Sequence, residues 1–306
     1  FQNRRGYAPY VECKACAYIP KCKNCDVSLT LHAAANTLNC HYCGYIERLP
    51  KDCPSCKTPG LQTRGFGTEK IEEEIKQFFP DARVMRMDLD TTRSKKGYAR
   101  IISAMERRQV DILIGTQMVT KGLDFEKVSL VGILNADNLL NFPDFRSHER
   151  AFQLMAQVSG RAGRKHKKGL VVIQTYSPDN SVIQQVVHHD YQAMFDLQTQ
   201  ERALFKYPPF YRMIQITLKH RDFKVIELAA NELAATLRTT FGNRVLGPVV
   251  PVVARVQNQY IRQILFKFET AASVKAARTT LLDILSKLNA QPEFKSVRIS
   301  CDVDPY

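Results

Sequence analysis

The sequence predicts an α/β lobe that carries an inserted cysteine-rich module and is followed by a second, α+β domain. Three observations carry this. Between residues 61 and 205 apolar strand-like runs alternate with amphipathic stretches, the pattern of a parallel sheet with crossover helices. Eight of the nine cysteines fall in four Cys-x-x-Cys pairs within the first sixty residues. Pro208-Pro209 then punctuates the chain, and the elements after it run β-α-β-β-α-β, a split ferredoxin-like arrangement. At 306 residues and 44% hydrophobic, the chain can bury cores for two or three domains. No apolar run is long enough to cross a bilayer. No signal peptide opens it, and the start Phe1-Gln2-Asn3-Arg4-Arg5 reads as a cut into a longer protein.

The cysteines come first. The pairs are Cys13/Cys16, Cys22/Cys25, Cys40/Cys43 and Cys53/Cys56. Two thiolates two residues apart can turn onto one tetrahedral ion, and two such pairs close a site. A disulfide framework is not expected, because a chain of this length needs no staples and nothing marks it as secreted. Four copies of the motif also argue against a single redox pair. Two structural zinc ions are therefore expected. The pairs can combine as neighbours, interleaved, or nested. Nesting joins Cys13, Cys16, Cys53 and Cys56 outside and Cys22, Cys25, Cys40 and Cys43 inside. It also brings the ends of the segment together, as an insertion into one domain requires. The alternation from Val27 to Thr37 suggests a short hairpin within it. His32 and His41 read as bystanders.

Charge sharpens the division. Residues 1–60 hold eight basic and four acidic side chains, residues 61–205 hold 21 and 18, and residues 206–306 hold 15 and 8. Eight thiolates on two zinc ions would bring the first segment to about neutral and the formal +14 of the chain to about +10. The basic excess then sits at the C-terminal end. It suits a polyanionic partner, or is a solvated basic surface.

In the lobe, Arg64-Gly65-Phe66-Gly67-Thr68 is a glycine-rich turn with Thr68 as N-cap of a helix from Glu69 to Phe79, closed by Pro80. Next come a strand over Arg83–Met87, a helix over Gly97–Arg108 and strands over Val110–Gly115 and Ser129–Asn135. A helix over Ser147–Gly160 and a strand over Gly169–Tyr176 follow. Two junctions hold candidate chemistry. Gly115-Thr116-Gln117 followed by Lys121-Gly122-x-Asp124 leaves a strand at the sheet edge where α/β folds bind ligands; an ordinary strand–loop turn is the alternative. Gln157-x-x-Gly160-Arg161-x-Gly163-Arg164 is expected to end its helix with two arginines sharing a face. Guanidinium groups grip phosphate oxygens in a fork and, across a cleft from a triphosphate, stabilise the transferred phosphoryl group.

The pairing of these two junctions resembles motifs V and VI of superfamily 2 helicases. The double-cysteine insertion, together with Asp144-Phe145-Arg146-Ser147-x-Glu149-Arg150 and the ending Asp302-Val303-Asp304-Pro305, narrows the likeness to the PriA family of replication-restart helicases. The resemblance covers essentially the whole chain. It implies that residues 1–12 and 57–205 form the second RecA-like lobe, 13–56 the zinc insertion, and 206–306 a C-terminal domain like a ribosomal-protein fold. It implies that Arg161 and Arg164 act on the γ-phosphate of ATP, with Gly122, Asp124 and Gln157 at the nucleotide. It implies that Gly67, Thr68, Thr116, Gln117 and Lys121 lie near DNA. The implied partners are branched and single-stranded DNA, single-stranded-DNA-binding protein and primosome proteins, in the bacterial cytoplasm at the nucleoid. Asn135 stands where that family often has Asp.

The chain holds no Gly-x-x-x-x-Gly-Lys-Ser/Thr phosphate loop and no Asp-Glu-x-His magnesium box. The resemblance places these, with an N-terminal DNA-binding domain, upstream of Phe1. The chain alone is therefore expected to hydrolyse no ATP, the Mg²⁺-dependent activity belonging to a full-length protein. A non-catalytic, zinc-bearing adaptor that binds DNA and proteins is the alternative reading.

In the last hundred residues Met213–Lys219 alternates as a strand. Lys224–Phe241 places Ile226, Ala229, Ala230, Leu233, Leu237 and Phe241 on one helical stripe. Val245–Val256 and Ile261–Phe268 read as a strand pair, Val274–Leu288 as a helix and Ser296–Val303 as a final strand. Arg255, Arg262 and Lys267 flank Tyr260 and Phe266. The mix suits base stacking with phosphate contact, or else the aromatics are core and the charges a solvated face.

Overall fold

The computed structural model describes residues 10–32, 35–64, 67–88, 91–92, 95–116, 119, 128–163 and 169–305, without the side chains of residues 64 and 95. Its contacts divide the chain into two units that do not follow chain order. One comprises Phe1–Pro20, Leu29–Asn39 and Ile46–Gln198; the other comprises Lys21–Ser28, Cys40–Tyr45 and Thr199–Tyr306.

In the first unit β1 (Tyr10–Cys13) pairs antiparallel with β5 (Leu61–Arg64), Cys13 opposite Leu61, so the cysteine-rich segment leaves and returns at one place. Within it β2 (Thr30–His32), β3 (Thr37–Asn39) and β4 (Ile46–Arg48) form an antiparallel meander. The hairpin suggested by alternation is present as β2–β3, one strand short of the whole sheet.

The lobe follows as α1 (Thr68–Phe78), β6 (Val84–Met87), α2 (Lys95–Glu106), β7 (Ile112–Gly115), β8 (Leu130–Ile133), α3 (Asp137–Leu140), α4 (Ser147–Ser159), β9 (Leu170–Ile173), α5 (Ser181–Val187) and α6 (Tyr191–Leu204). β6 pairs parallel with β7, and β8 with β9. Parallel neighbours need crossover helices, which is why strand and helix alternate here. Met87 and Ile101 centre one apolar cluster; Val131, Ile133, Phe152, Met155 and Ile183 build another. The last two helices are unassigned in the sequence reading. The Asn180 side chain caps the first of them, accepting from the Val182 N–H at 2.9 Å.

The second unit holds β10 (Tyr211–His220), α7 (Phe223–Phe241), β11 (Val245–Val249), β12 (Arg255–Val256), β13 (Gln259–Glu269), α8 (Val274–Ala290) and β14 (Arg298–Val303). The sheet order is β11-β13-β10-β14, every neighbour antiparallel, with β12 paired to β13. Ile226, Ala229, Ala230, Leu233 and Leu237 of α7 are buried against Ile216, Leu218, Ile264 and Phe266. Each large apolar side chain so buried is worth roughly 1.5–3 kcal/mol. The Asp222 carboxylate starts α7 by accepting from the Lys224 and Val225 N–H groups. The expected strand Val245–Val256 is interrupted. Pro248 and Pro251 offer no N–H to a ladder, and the chain pairs again only at Arg255.

Candidate functional site

Eight cysteines converge in two groups. Cys13, Cys16, Cys53 and Cys56 form one, and Cys22, Cys25, Cys40 and Cys43 the other, with the sulfurs of each group within 4.8 Å of one another. Cys13 and Cys56 Sγ are 3.6 Å apart, as are Cys16 and Cys53; Cys22 and Cys43 are 3.5 Å apart. A tetrahedral zinc with bonds of about 2.3 Å sets its sulfurs about 3.8 Å apart. The residues therefore fit zinc, four sulfurs to each ion, with no position left for substrate. Among the described residues neither histidine singled out above belongs to a group.

Local backbone chemistry shapes the knuckles. The Cys22 N–H donates to the Val27 carbonyl, and at Cys13, Cys40 and Cys53 the first cysteine's N–H likewise donates to the carbonyl five residues on, of Tyr18, Tyr45 and Thr58. Its own carbonyl accepts from the N–H four residues on, of Ala17, Gly44 and Lys57. Those three residues are left-handed, with φ of 56°, 78° and 62°. Four thiols brought together crowd one another's charge. Hydrogen bonds from Thr58, led by its hydroxyl at 2.8 Å, draw Cys56 down to about 6. At Cys16 the Tyr18 hydrogen bond pulls down, but burial and the neighbouring cysteines prevail and push it up to about 12. At Cys43 burial raises the thiol, while the Tyr45 hydrogen bond and the other cysteines bring it to about 7. A bound dication reverses this competition and holds all four as thiolates.

The second candidate region is the carboxyl edge of β6 and β7. Met87 pairs with Gly115, so Asp88 and Thr116 leave the two strands side by side. Gly115 is fixed by close approach, since a Cβ there would stand 2.7 Å from the Met87 carbonyl oxygen and collide with Val119. Thr68, Thr116 and Gly67 are all buried. The N-cap of α1 is Gly67, one residue before the expected Thr68. The Thr68 hydroxyl instead donates to Asp88 at 2.6 Å. Asp88 is also ion-paired with Arg86 at 2.9 Å and accepts from the Thr91 N–H at 2.9 Å. Sequence reasoning passed over this buried aspartate; the signal was an acid ending a strand just before Thr91-Thr92, the pattern of a side-chain-capped turn. Gln117, Lys121, Gly122 and Asp124 lie outside the described residues.

The arginine junction differs from its expected form. α4 stops at Ser159 with Gly160 as its C-cap, so Arg161 stands in the turn beyond the helix and is half-buried. The turn is tied down elsewhere. Ala162 bridges Val128, the Gly163 N–H donates to the Val128 carbonyl at 2.9 Å, and Gly163 is left-handed at φ 80°. The helix thus ends before Arg161, and the strand-like tether holds the turn that follows. Gln157 is exposed on the last turn of α4; Arg164 lies outside the described residues. Upstream, the Asp144 carboxylate accepts from the Arg146 N–H at 2.7 Å and pairs with Arg150 at 3.2 Å, fixing the start of α4. Asn135, two residues past β8, is left-handed at φ 55°, a conformation that Asn and Asp tolerate better than most.

On the C-terminal sheet the aromatic hairpin is packed. Phe266 is buried and stacks on Phe268 at 4.9 Å. Arg262 is buried against Glu227, and Lys267 donates to the Phe205 carbonyl at 3.1 Å beneath the Tyr207 ring. Burial, then the Lys206 charge, lowers the pKa of Lys267. Beside it opens a cavity of about 430 Å³ lined by Phe205, Lys206, Tyr211, Arg244, Lys267 and Glu269 among others. None of the described helices is long and apolar enough to cross a membrane.

Comparison with known proteins matches three family models in chain order. Residues 22–48 match the PriA DNA helicase Cys-rich region domain, 62–166 the helicase conserved C-terminal domain, and 203–306 the primosomal protein N C-terminal domain. The whole chain is 41% identical to replication restart protein PriA of Bacillus subtilis, covering 38% of that protein. It is 39% identical to the protein of the same name in Synechocystis and 37% identical to that of Treponema pallidum, covering 36% and 46% of them. The chain thus spans less than half the length of these relatives.

Proposed function

Starting from a chain related along its whole length to the replication restart protein PriA, we propose that it is the C-terminal half of an ATP-dependent 3′-to-5′ DNA helicase. On this reading the full-length protein recognises stalled or branched forks and starts primosome assembly. The observation that carries it is the span of the helicase C-terminal match, 62–166. It takes in both the Thr68–Asp88–Thr116 edge and the Arg161 turn.

The lobe is then RecA-like. Arg161 and Arg164 face the γ-phosphate, and Gly122, Asp124 and Gln157 flank the nucleotide. Gly67, Thr68, Thr116, Gln117 and Lys121 follow the DNA strand. Asp88 holds the Thr68 hydroxyl inward, which leaves the backbone N–H groups at that edge for phosphate contact. The two zinc ions are structural, and the domains run 1–12 with 57–205, 13–56, and 206–306. The sheet order β11-β13-β10-β14 supports a ferredoxin-like C-terminal domain. Its cationic, aromatic-lined cavity supports binding of single-stranded DNA or of single-stranded-DNA-binding protein. Other primosome proteins complete the set of partners, in the bacterial cytoplasm at the nucleoid.

The chain itself lacks a phosphate loop, so ATP and Mg²⁺ act only in the full-length protein. Arg164→Ala there should lower DNA-stimulated ATP turnover roughly a thousandfold or more with DNA binding retained. Unchanged turnover in that variant, or ATP hydrolysis by the chain alone, would instead overturn the assignment; the former would favour a non-catalytic adaptor.

A further inference from the structure

All four knuckles send the first cysteine's N–H to the carbonyl five residues on, but only three of them close the return bond. At Cys13, Cys40 and Cys53 the fourth residue on donates its N–H back to the first cysteine. At Cys22 that residue is Asp26, which is not left-handed, and its N–H goes to the Arg255 carbonyl at 2.9 Å. Arg255 lies 229 residues along the chain, in the second unit with the knuckle itself.

The contact is a set. Arg255 Nε reaches the Asp26 carboxylate at 3.4 Å. The Asn258 N–H donates to the Asn24 carbonyl at 2.8 Å, and its side-chain amide to the Asn24 side-chain oxygen at 3.2 Å. The Gln257 N–H donates to the Cys25 sulfur at 3.3 Å. Gln257 and Asn258 are the two left-handed residues, φ 51° and 60°, of the tight turn between β12 and β13, where Val256 pairs with Gln259. A glutamine holds that conformation only where its surroundings impose it. Here the conformation aims its N–H at a metal ligand.

We propose that the Arg255–Asn258 turn is the outer coordination shell of the inner four-cysteine site, so that metal occupancy there and docking of the knuckle on the C-terminal sheet are thermodynamically linked. This rests on the reading that the inner four cysteines hold a metal. An N–H donated to a coordinated thiolate stabilises its charge and fixes its direction. Linkage is reciprocal: a turn that tightens the metal is itself held by it. The outer site lies in the other unit and serves as an internal control.

The test uses the full chain, with metal content and amide hydrogen exchange measured on the same samples. Arg255→Ala combined with Asn258→Ala should speed metal transfer from the inner site to a chromogenic chelator about ten- to a hundredfold, leaving the outer site unchanged. Cys56→Ser and Cys43→Ser, each holding one metal, assign the two release phases. In reverse, Cys43→Ser should raise exchange at residues 255–259 at least tenfold, and Cys56→Ser should not. Equal release from both sites in the double variant, or unaltered exchange at the turn when the inner metal is gone, overturns the linkage. Should Cys43→Ser leave two metals bound, the metal reading fails instead, and the proposal with it.

Discussion

The two four-cysteine groups use one motif spacing and differ in what completes them. The outer group is finished by its own neighbourhood. Its two knuckles close through the Ala17 and Lys57 N–H groups, and the Thr58 hydroxyl lies 2.8 Å from Cys56. In the inner group both first cysteines donate to the carbonyl five residues on, but only the Cys40 knuckle closes the return bond, at Gly44, and the other is completed by a turn more than two hundred residues later. A metal site can thus be local in its ligands and non-local in its support. The difference teaches that ligand spacing fixes what binds, while second-shell partners fix what the site is coupled to.

The strongest attempt to break this contrast is Leu233→Ala. Leu233 is fully buried on α7 in the C-terminal core. The substitution should cost about 2–5 kcal/mol. On heating, the inner metal should then reach a chelator well before the outer one, and coincident loss would remove the distinction. Thr58→Val sharpens the other side. It takes from Cys56 the hydroxyl that most lowers its pKa, and should weaken the outer metal about tenfold while sparing the inner one. The sign is fixed by that lowered pKa. The Thr58 hydroxyl favours the Cys56 thiolate over the thiol, so protons compete less well with the metal while it is present. Without the hydroxyl, protons should displace the outer metal at a higher pH, read by chelator titration across pH 5–8. An unmoved release profile would remove Thr58 from the site.

The smallest effect is expected at Asp111→Asn, in the lobe. Hydrogen bonds from Arg83 hold the Asp111 carboxyl well below the usual range. Such a depressed acid contributes stability above its unfolded pKa and loses it as pH falls through the folded value. The pair is exposed, so the urea midpoint should drop slightly at pH 7 and the difference should fade in strong acid. Both metals should stay bound; loss of either, read by metal content, would mean that this exposed pair supports a cysteine site.

Much of this was legible in the sequence, and the failures share a cause. The α7 stripe was readable because burial follows a 3.6-residue period. The span of α4 was readable to within a residue, but the turn that takes Arg161 off the helix face was not, because the bridge from Ala162 to Val128 is a tertiary contact. Thr68 looked like a cap, yet its hydroxyl turned to a buried carboxylate twenty residues on. The aromatic hairpin read equally as stacking surface or core until Phe266 was seen packed between strand and helix.

By itself, the sequence determined that eight thiols stand in four pairs. It also determined that the lobe alternates strand and helix, and that the basic excess lies at the C-terminal end. Those properties depend on residue type and spacing. Only the tertiary structure decided that the Cys22 knuckle gives its Asp26 N–H to Arg255 and that the Gln257 N–H reaches Cys25. The reason is physical. Nearly every residue carries the same backbone donor and acceptor, so side-chain identity says little about which distant one will answer.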